Sequence, residues 1–222
     1  MSEMNRFNTL KPLPLLPSLL YFGLPALLFV AGFWVGMPWL IQRGLLPYYA
    51  YLWGLGVPLA LLLLLSLLWL RLEGREITWA TLQSRLRLHP MNRQAWLWSA
   101  GAVLVGSVVG FGLVSQFSGF LIARGLIPIP TTIPAFMNPT SMTDPMVAYN
   151  EAVGGLRGNW TPFIAMSIVF VFNILGEELW WRGIVLPRQE LAFGKWTWVM
   201  HGVLWAVFHS FKWWDVLNLL PI

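Results

Sequence analysis

The sequence predicts an all-α fold, a polytopic bundle of about five transmembrane helices plus an interfacial amphipathic helix. Of the 222 residues, 57% are hydrophobic and only 10% are charged, whereas soluble domains carry roughly 25% charged residues. Mean hydropathy is +0.65. Disordered chains are poor in apolar and aromatic residues, so that class is excluded. We therefore expect a multi-pass integral membrane protein that has the lipid bilayer as a partner.

Five apolar runs, each close to the ~20 residues that a membrane helix needs, define the expected helices. They are residues 18–41, 49–70, 95–122, 161–175 and 196–211. We treat residues 1–222 as a single membrane domain. Within it, residues 1–122 hold the first three helices, and residues 161–222 hold the last two together with the motifs described below.

Two linkers separate these runs. Residues 71–94 form a basic linker, expected to be cytoplasmic, in which Trp79, Leu82 and Leu86 recur at helical spacing. That spacing indicates an amphipathic helix lying on the inner leaflet, and a solvated basic loop is the equally favoured alternative. Residues 124–160 are rich in proline, so they are expected to form an irregular loop on the outer side.

The basic residues predict the orientation. With a cytoplasmic N-terminus, most of the 14 Lys and Arg residues lie on the inner side. These inner residues are Arg6, Lys11, Arg71, Arg75, Arg85, Arg87, Arg93, Arg182, Arg188 and Lys195. The outer side holds only Arg43, Arg124, Arg157 and Lys212. Because Lys and Arg favour cytoplasmic loops, we expect a plasma (inner) membrane protein with its N-terminus inside.

The composition also limits cofactors and partners. The chain has no cysteine and only three histidines, which excludes disulfides, thiol nucleophiles and Cys-ligated metals. We expect no cofactor, and a divalent metal is the less favoured alternative. The net charge of +5 could indicate nucleic acid, but the basic residues lie at the ends of apolar runs, so no nucleic-acid partner is expected. The oligomeric state stays open.

The fourth run leads into two adjacent glutamates, Glu177 and Glu178, followed by Arg182. Ionisable groups at membrane depth are costly and usually face a cavity or each other. Glu178 and Arg182 are four residues apart and can pair on one helix face. Glu177 points about 100° away, toward the face of Asn173 and Trp181. It is therefore the surplus carboxylate, and the alternative is that both glutamates are solvated at the helix end.

The fifth run carries His201 and His209. The midpoint between Glu177 and His209 lies beside Gly194, a residue type that terminates helices. An antiparallel hairpin that turns there puts Glu177 and His209 at the same depth, where a carboxylate and an imidazole suit general acid–base chemistry. His201 points to a different face and is expected to be a structural core residue.

These motifs resemble those of the CPBP family, the CAAX prenyl endopeptidases and related bacterial proteases linked to bacteriocin processing and self-immunity. The EExxxR motif is matched by Glu177, Glu178 and Arg182, and the FxxxH motif by His209, with Trp205 in place of Phe. The resemblance implies an intramembrane glutamic endopeptidase, a hydrolase that acts on a peptide or membrane protein. The first glutamate of EExxxR would activate water, and the motif-two histidine would cooperate. The family was once assigned a metal, and a metal-free mechanism is now the usual interpretation.

One feature departs from the family pattern. A third motif, HxxxN or HxxxD, should supply polar groups for the oxyanion, and this chain has no histidine after His209. Asn218 is the only candidate substitute that we identify, and the expectation is a truncated or impaired protease. The alternative function is a non-catalytic membrane protein of the same fold that binds a partner or confers bacteriocin self-immunity. A proton-coupled carrier is disfavoured because no internal repeat is visible.

Overall fold

The computed structural model describes residues 10–219, and all regular structure within them is helical. The helices are α1 (Leu15–Gln42), α2 (Pro47–Leu72), α3 (Trp79–Arg85), α4 (Arg93–Ala123), α5 (Pro145–Val153), α6 (Thr161–Glu177), α7 (Leu186–Phe193), α8 (Thr197–Phe208) and α9 (Val216–Leu219). Among residues 10–219, four helical stretches are long and apolar enough to cross a membrane, namely α1, α2, α4 and residues 161–219. This confirms the predicted all-α membrane bundle. Arg6 and the N-terminus, on which the orientation partly depends, lie outside the described residues.

The last stretch, residues 161–219, reverses direction at the expected place. A π-helical segment, Glu178–Val185, connects α6 to α7. Helix α7 ends at Phe193, and Gly194 has φ +53°, a conformation that favours glycine. A short 3-10 turn, Gly194–Trp196, then leads into α8, which packs back against α7. The fourth and fifth apolar runs are therefore two arms of one hairpin, as the midpoint argument predicted.

Glycines allow α2 to approach its neighbours closely. A Cβ atom on Gly32 of α1 would overlap the carbonyl oxygen of Gly54 in α2. On the other side, a Cβ on Gly176 of α6 would lie 2.8 Å from the carbonyl oxygen of Leu59. Small residues at helix crossings let backbones meet, which drives helix association in lipid. Helix α2 is thus held between α1 and α6.

An aromatic cluster joins α1 to the second arm of the hairpin. The ring centroids of Phe29 and Phe208 are 5.0 Å apart, and those of Phe33 and Phe211 are 5.9 Å apart. Trp214 is also buried, and its ring lies 6.2 Å from Phe33. Offset and edge-to-face aromatic contacts of this kind stabilise packing beyond the area they bury. They fix α8 and the segment after it against α1.

Helix α4 lies at the edge of the bundle. Its most apolar 18-residue window contains no buried residue. Its contacts are with the C-terminal segment, where the Ser115 hydroxyl lies 3.4 Å from the Asn218 Oδ1 atom. The surface of α4 outside these contacts is therefore left to lipid or to another protein surface.

The structure corrects part of both linker predictions. Residues 79–85 form the helix α3, so the solvated-loop alternative is wrong there, and Trp79 is 68% exposed as expected of a leaflet-facing residue. The buried member of α3 is Arg85, at 6% exposure. The segment 124–160 is partly helical, because Asp144 caps the N-terminus of α5 with its carboxylate. Helix α5 packs on α2 through Tyr149 and Tyr48, whose ring centroids are 5.4 Å apart.

Candidate active site

The two glutamates lie where the regular α-helix gives way to the π-helical segment. Helix α6 begins with Pro162 in its first turn, which suits the start of a helix. It then runs through apolar residues to Glu177, and Glu178 is the first π-helical residue. π-helical turns are rare and frequently occur at functional sites. The local backbone thus changes at the pair of carboxylates.

Glu177 is half-buried and surrounded by donors. The Asn173 side-chain amide donates a hydrogen bond of 2.8 Å to Glu177 Oε1. The indole groups of Trp181 and Trp205 lie close to the same carboxylate. The Trp181 N–H group is buried and makes no hydrogen bond of normal geometry within residues 10–219. Its dipole therefore adds to the positive potential around the Glu177 carboxylate. This arrangement matches the face that helical spacing predicted for Asn173, Glu177 and Trp181.

Glu178 and Arg182 form the ion pair predicted from their spacing. Arg182 Nη1 lies 2.9 Å from Glu178 Oε2. The pair lies at the surface of the described bundle, where the side chains of Arg182 and Glu178 are 66% and 36% exposed. Arg182 is nevertheless occupied by Glu178, so Glu177 keeps no arginine partner among residues 10–219. Glu177 is thus the carboxylate without an arginine partner, as the helical spacing predicted.

His209 begins a 3-10 segment, His209–Asp215, at the end of α8. Its Nδ1 atom lies 2.9 Å from the Trp205 carbonyl oxygen. A carbonyl oxygen only accepts, so Nδ1 carries the hydrogen and Nε2 of the neutral ring is left as an acceptor. The imidazole packs on the Trp205 and Phe208 rings, at centroid distances of 4.4 and 4.7 Å. Its orientation is thus fixed by one hydrogen bond and two rings.

Contacts across the hairpin give the relative depth of the two motifs. Trp181 meets Phe208, the residue before His209, with ring centroids 4.9 Å apart. Because Trp181 is one turn beyond Glu177, the two candidate residues lie within about one helical turn of each other along the hairpin. Within residues 10–219, no hydrogen bond or ion pair joins Glu177 to His209. The link between them is Trp205, which contacts both.

His201 has the structural role expected for it. Its Nδ1 atom lies 2.7 Å from the Gln189 Oε1 atom. The Gln189 amide in turn donates to the Ser18 hydroxyl at 3.0 Å. In the sequence Gln189 stands between the charged residues Arg188 and Glu190, but its side chain is fully buried. A buried amide hydrogen-bonded to two helices depends on long-range contacts, and no local pattern indicated it.

Asn218, the candidate substitute for the third motif, contacts polar residues of the C-terminal segment and of α4. Asn218 Nδ2 donates to Asp215 Oδ1 at 3.2 Å, so its contacts are with Asp215 and Ser115. Within residues 10–219, no group of three or more His, Asp or Glu side chains is arranged to hold a metal ion.

Together, the fold and the site define a multi-pass membrane protein with a Glu–Glu–Arg motif on one arm of a hairpin and a histidine on the other. Residues 159–222 match the sequence profile of a family described as "Rce1-like: Type II CAAX prenyl endopeptidase Rce1-like". This match covers only the C-terminal part of the chain and supports the resemblance to the CPBP family that the motifs indicated. Comparisons with curated proteins and with solved structures give no significant match.

Proposed function

We propose that the chain is an intramembrane endopeptidase of the CPBP type, which hydrolyses a peptide bond with a water molecule activated by Glu177. The observation that carries the proposal is that the two glutamates have different partners. Glu178 is occupied by Arg182 at 2.9 Å, while Glu177 is held by the Asn173 amide and keeps no cationic partner among residues 10–219. A positioned carboxylate of this kind is suited to general-base catalysis.

The geometry supports a role for each group. Glu177 would take a proton from the water as the oxygen attacks the carbonyl carbon of the substrate. The Nε2 atom of His209 is free to accept a hydrogen bond, because Nδ1 is committed to the Trp205 carbonyl, and would orient that water. When the C–N bond breaks, Glu177 would return the proton to the leaving nitrogen. No step is assigned to a metal.

The test is peptide cleavage by the purified full chain in liposomes, with a prenylated CAAX peptide as the first probe. Glu177→Gln keeps the shape of the side chain but removes the base, so cleavage should fall at least about 100-fold. His209→Ala added to Glu177→Gln should cause little further loss, since residues that act as one unit are not additive. Glu151→Gln, an exposed change on α5, is the matched control. Normal cleavage by Glu177→Gln would show the mechanism to be wrong.

The second candidate is a non-catalytic protein of the same fold that binds a peptide or membrane partner, including a self-immunity role. It is favoured by one observation, the lack of a direct bond between Glu177 and His209 within residues 10–219. If this candidate holds, the parent protein should bind the prenylated peptide without cleaving it. The Glu177→Gln variant should then bind with unchanged affinity. Binding and product release measured on the same samples separate the two functions.

A further inference from the structure

A cluster of charged side chains lies at the Gly194 end of the bundle, apart from the candidate active site. Glu73, the residue after α2, pairs with Arg85 of α3 and with Arg188 of α7. The Arg188 Nη2 atom lies 2.5 Å from Glu73 Oε1, and Arg75 Nε lies 3.6 Å from Glu73 Oε2. One carboxylate therefore joins three segments that are distant in sequence. We call Glu73, Arg85 and Arg188 the arginine cluster.

The arginine cluster is almost enclosed. The side chains of Arg85, Arg188 and Glu73 are 6%, 11% and 13% exposed. The Nε atoms of Arg85 and Arg188 are buried and make no hydrogen bond within residues 10–219. A buried donor without an acceptor is costly. Both Nε–H groups are therefore available to donate to a further acceptor.

The charges of the cluster do not balance. Three guanidinium groups, those of Arg75, Arg85 and Arg188, contact one carboxylate, and no second carboxylate contacts Arg85 or Arg188 within residues 10–219. The nearby Glu190 is occupied by Arg87, which is exposed. Burial, and then the charge of Arg188, lower the pKa of Arg85 to about 10. Arg85 is therefore still protonated at neutral pH, and the cluster carries excess positive charge that an anion would neutralise.

The cluster lies at the end of α2, a helix long and apolar enough to cross a membrane, and aromatic rings pack against it. The Tyr21 ring lies 5.3 Å from Trp69 and 5.7 Å from Trp180, and the Arg188 guanidinium lies 5.1 Å from the Trp69 ring. Tyr and Trp are enriched where the bilayer meets water, at the depth of the lipid headgroups. Trp79, at the start of the helix that carries Arg85, is 68% exposed. Phosphate groups of lipids are therefore the nearest abundant anions.

We propose that the arginine cluster binds a phosphate group, supplied either by an anionic phospholipid or by free phosphate. The planar guanidinium groups of Arg85 and Arg188 match the oxygens of a phosphate, and their unused Nε–H groups would donate to them. Such an anion would also hold α3 against the motif segment, because Arg85 lies beside Gly183, where an added Cβ would be 3.9 Å from the Arg85 Cβ. The site does not depend on the proposed protease function.

The experiment measures thermal unfolding and lipid binding of the purified full chain in detergent. Phosphatidylglycerol, phosphatidylcholine and inorganic phosphate are added separately, and bound lipid is counted by native mass spectrometry. Phosphatidylglycerol should raise the unfolding midpoint by at least about 3 °C, and phosphatidylcholine should not. Equal stabilisation by both lipids would overturn the proposal. A variant-sensitive shift with inorganic phosphate alone would assign the site to the free anion.

Three variants separate a phosphate site from a purely structural ion pair. Arg85→Gln should weaken phosphatidylglycerol binding at least about tenfold, by loss of a charge-assisted donor group. Glu73→Gln removes the competing carboxylate, so it should strengthen that binding, which a structural role alone would not do. Arg71→Gln changes an exposed arginine at the end of α2 and is the matched control. If Arg85→Gln does not fold, phosphatidylglycerol binding by Glu73→Gln tests the proposal. Unchanged lipid binding in that variant would refute the site.

Discussion

Gly176→Ala is expected to damage both stability and catalysis, because the residue lies at the closest approach of α6 to α2. An added Cβ would lie 2.8 Å from the Leu59 carbonyl oxygen and 3.4 Å from the Leu63 amide nitrogen. Both neighbours are backbone atoms of a long helix, so neither can rotate away. The two helices would have to separate by about 0.5 Å to restore normal contact.

The cost of that separation can be estimated. Inserting a methyl group into a well-packed contact typically costs about 1–3 kcal/mol, and 1 kcal/mol shifts the midpoint by about 2–4 °C for a protein of this size. The unfolding midpoint of Gly176→Ala should therefore fall by about 2–12 °C. Glu177 is the next residue, and a displacement near 1 Å at a reacting group can cost about 100-fold in rate. Cleavage should thus fall more than stability alone explains.

Tryptophan fluorescence during heating in detergent measures the first effect, and peptide cleavage measures the second. Gly202→Ala in α8 is the matched control, because no atom lies within 4 Å of its added Cβ. Alanine is the better helix former by about 0.8–1.0 kcal/mol, so Gly202→Ala should melt at the same temperature or slightly higher. If the unfolding midpoint of Gly176→Ala equals that of Gly202→Ala, α6 and α2 do not approach each other as closely as the structure shows.

Two further substitutions test the polar contacts. Arg182→Ala should lower the midpoint by no more than about 4 °C, because its pair with Glu178 is exposed and such pairs contribute about 0–1 kcal/mol. An enclosed pair would cost about 3–5 kcal/mol when broken, and a fall of that size in a detergent melt would contradict the exposed geometry. His201→Ala should leave the buried Gln189 oxygen unpaired and cost about 1–3 kcal/mol. His89→Ala, an exposed control, should not change the same melt, and equal melting of the two variants would rule out that role for His201.

The parts of the fold that sequence predicted are those set by local pattern. The apolar run that starts near residue 49 predicted α2 to within about two residues of each end. The pair of Glu178 and Arg182 follows from i,i+4 spacing alone. The turn at Gly194 follows from the conformational freedom of glycine beside a charged segment. In each case the determining residues are neighbours in the chain.

The parts that sequence missed depend on residues far apart. Arg85 was counted as one of many inner basic residues, and only the fold brings it to Glu73 and Arg188. The charged neighbours of Gln189 in the chain are typical of a solvated segment, yet its side chain is buried between α1 and α8. Amphipathic spacing places a residue on a face of a helix. It does not state whether that face meets water, lipid or another helix.

Trp205 departs from the FxxxH motif, and its role is visible only when the other arm of the hairpin is considered as well. In the sequence it interrupts the FxxxH motif, since a phenylalanine is expected four residues before His209. In the structure its carbonyl oxygen accepts from His209, its ring packs on the imidazole, and its indole lies beside the Glu177 carboxylate. A phenylalanine ring could supply the packing but has no N–H group to offer a carboxylate. The tryptophan therefore adds a polar contact between the two motifs at the point where no direct bond joins them.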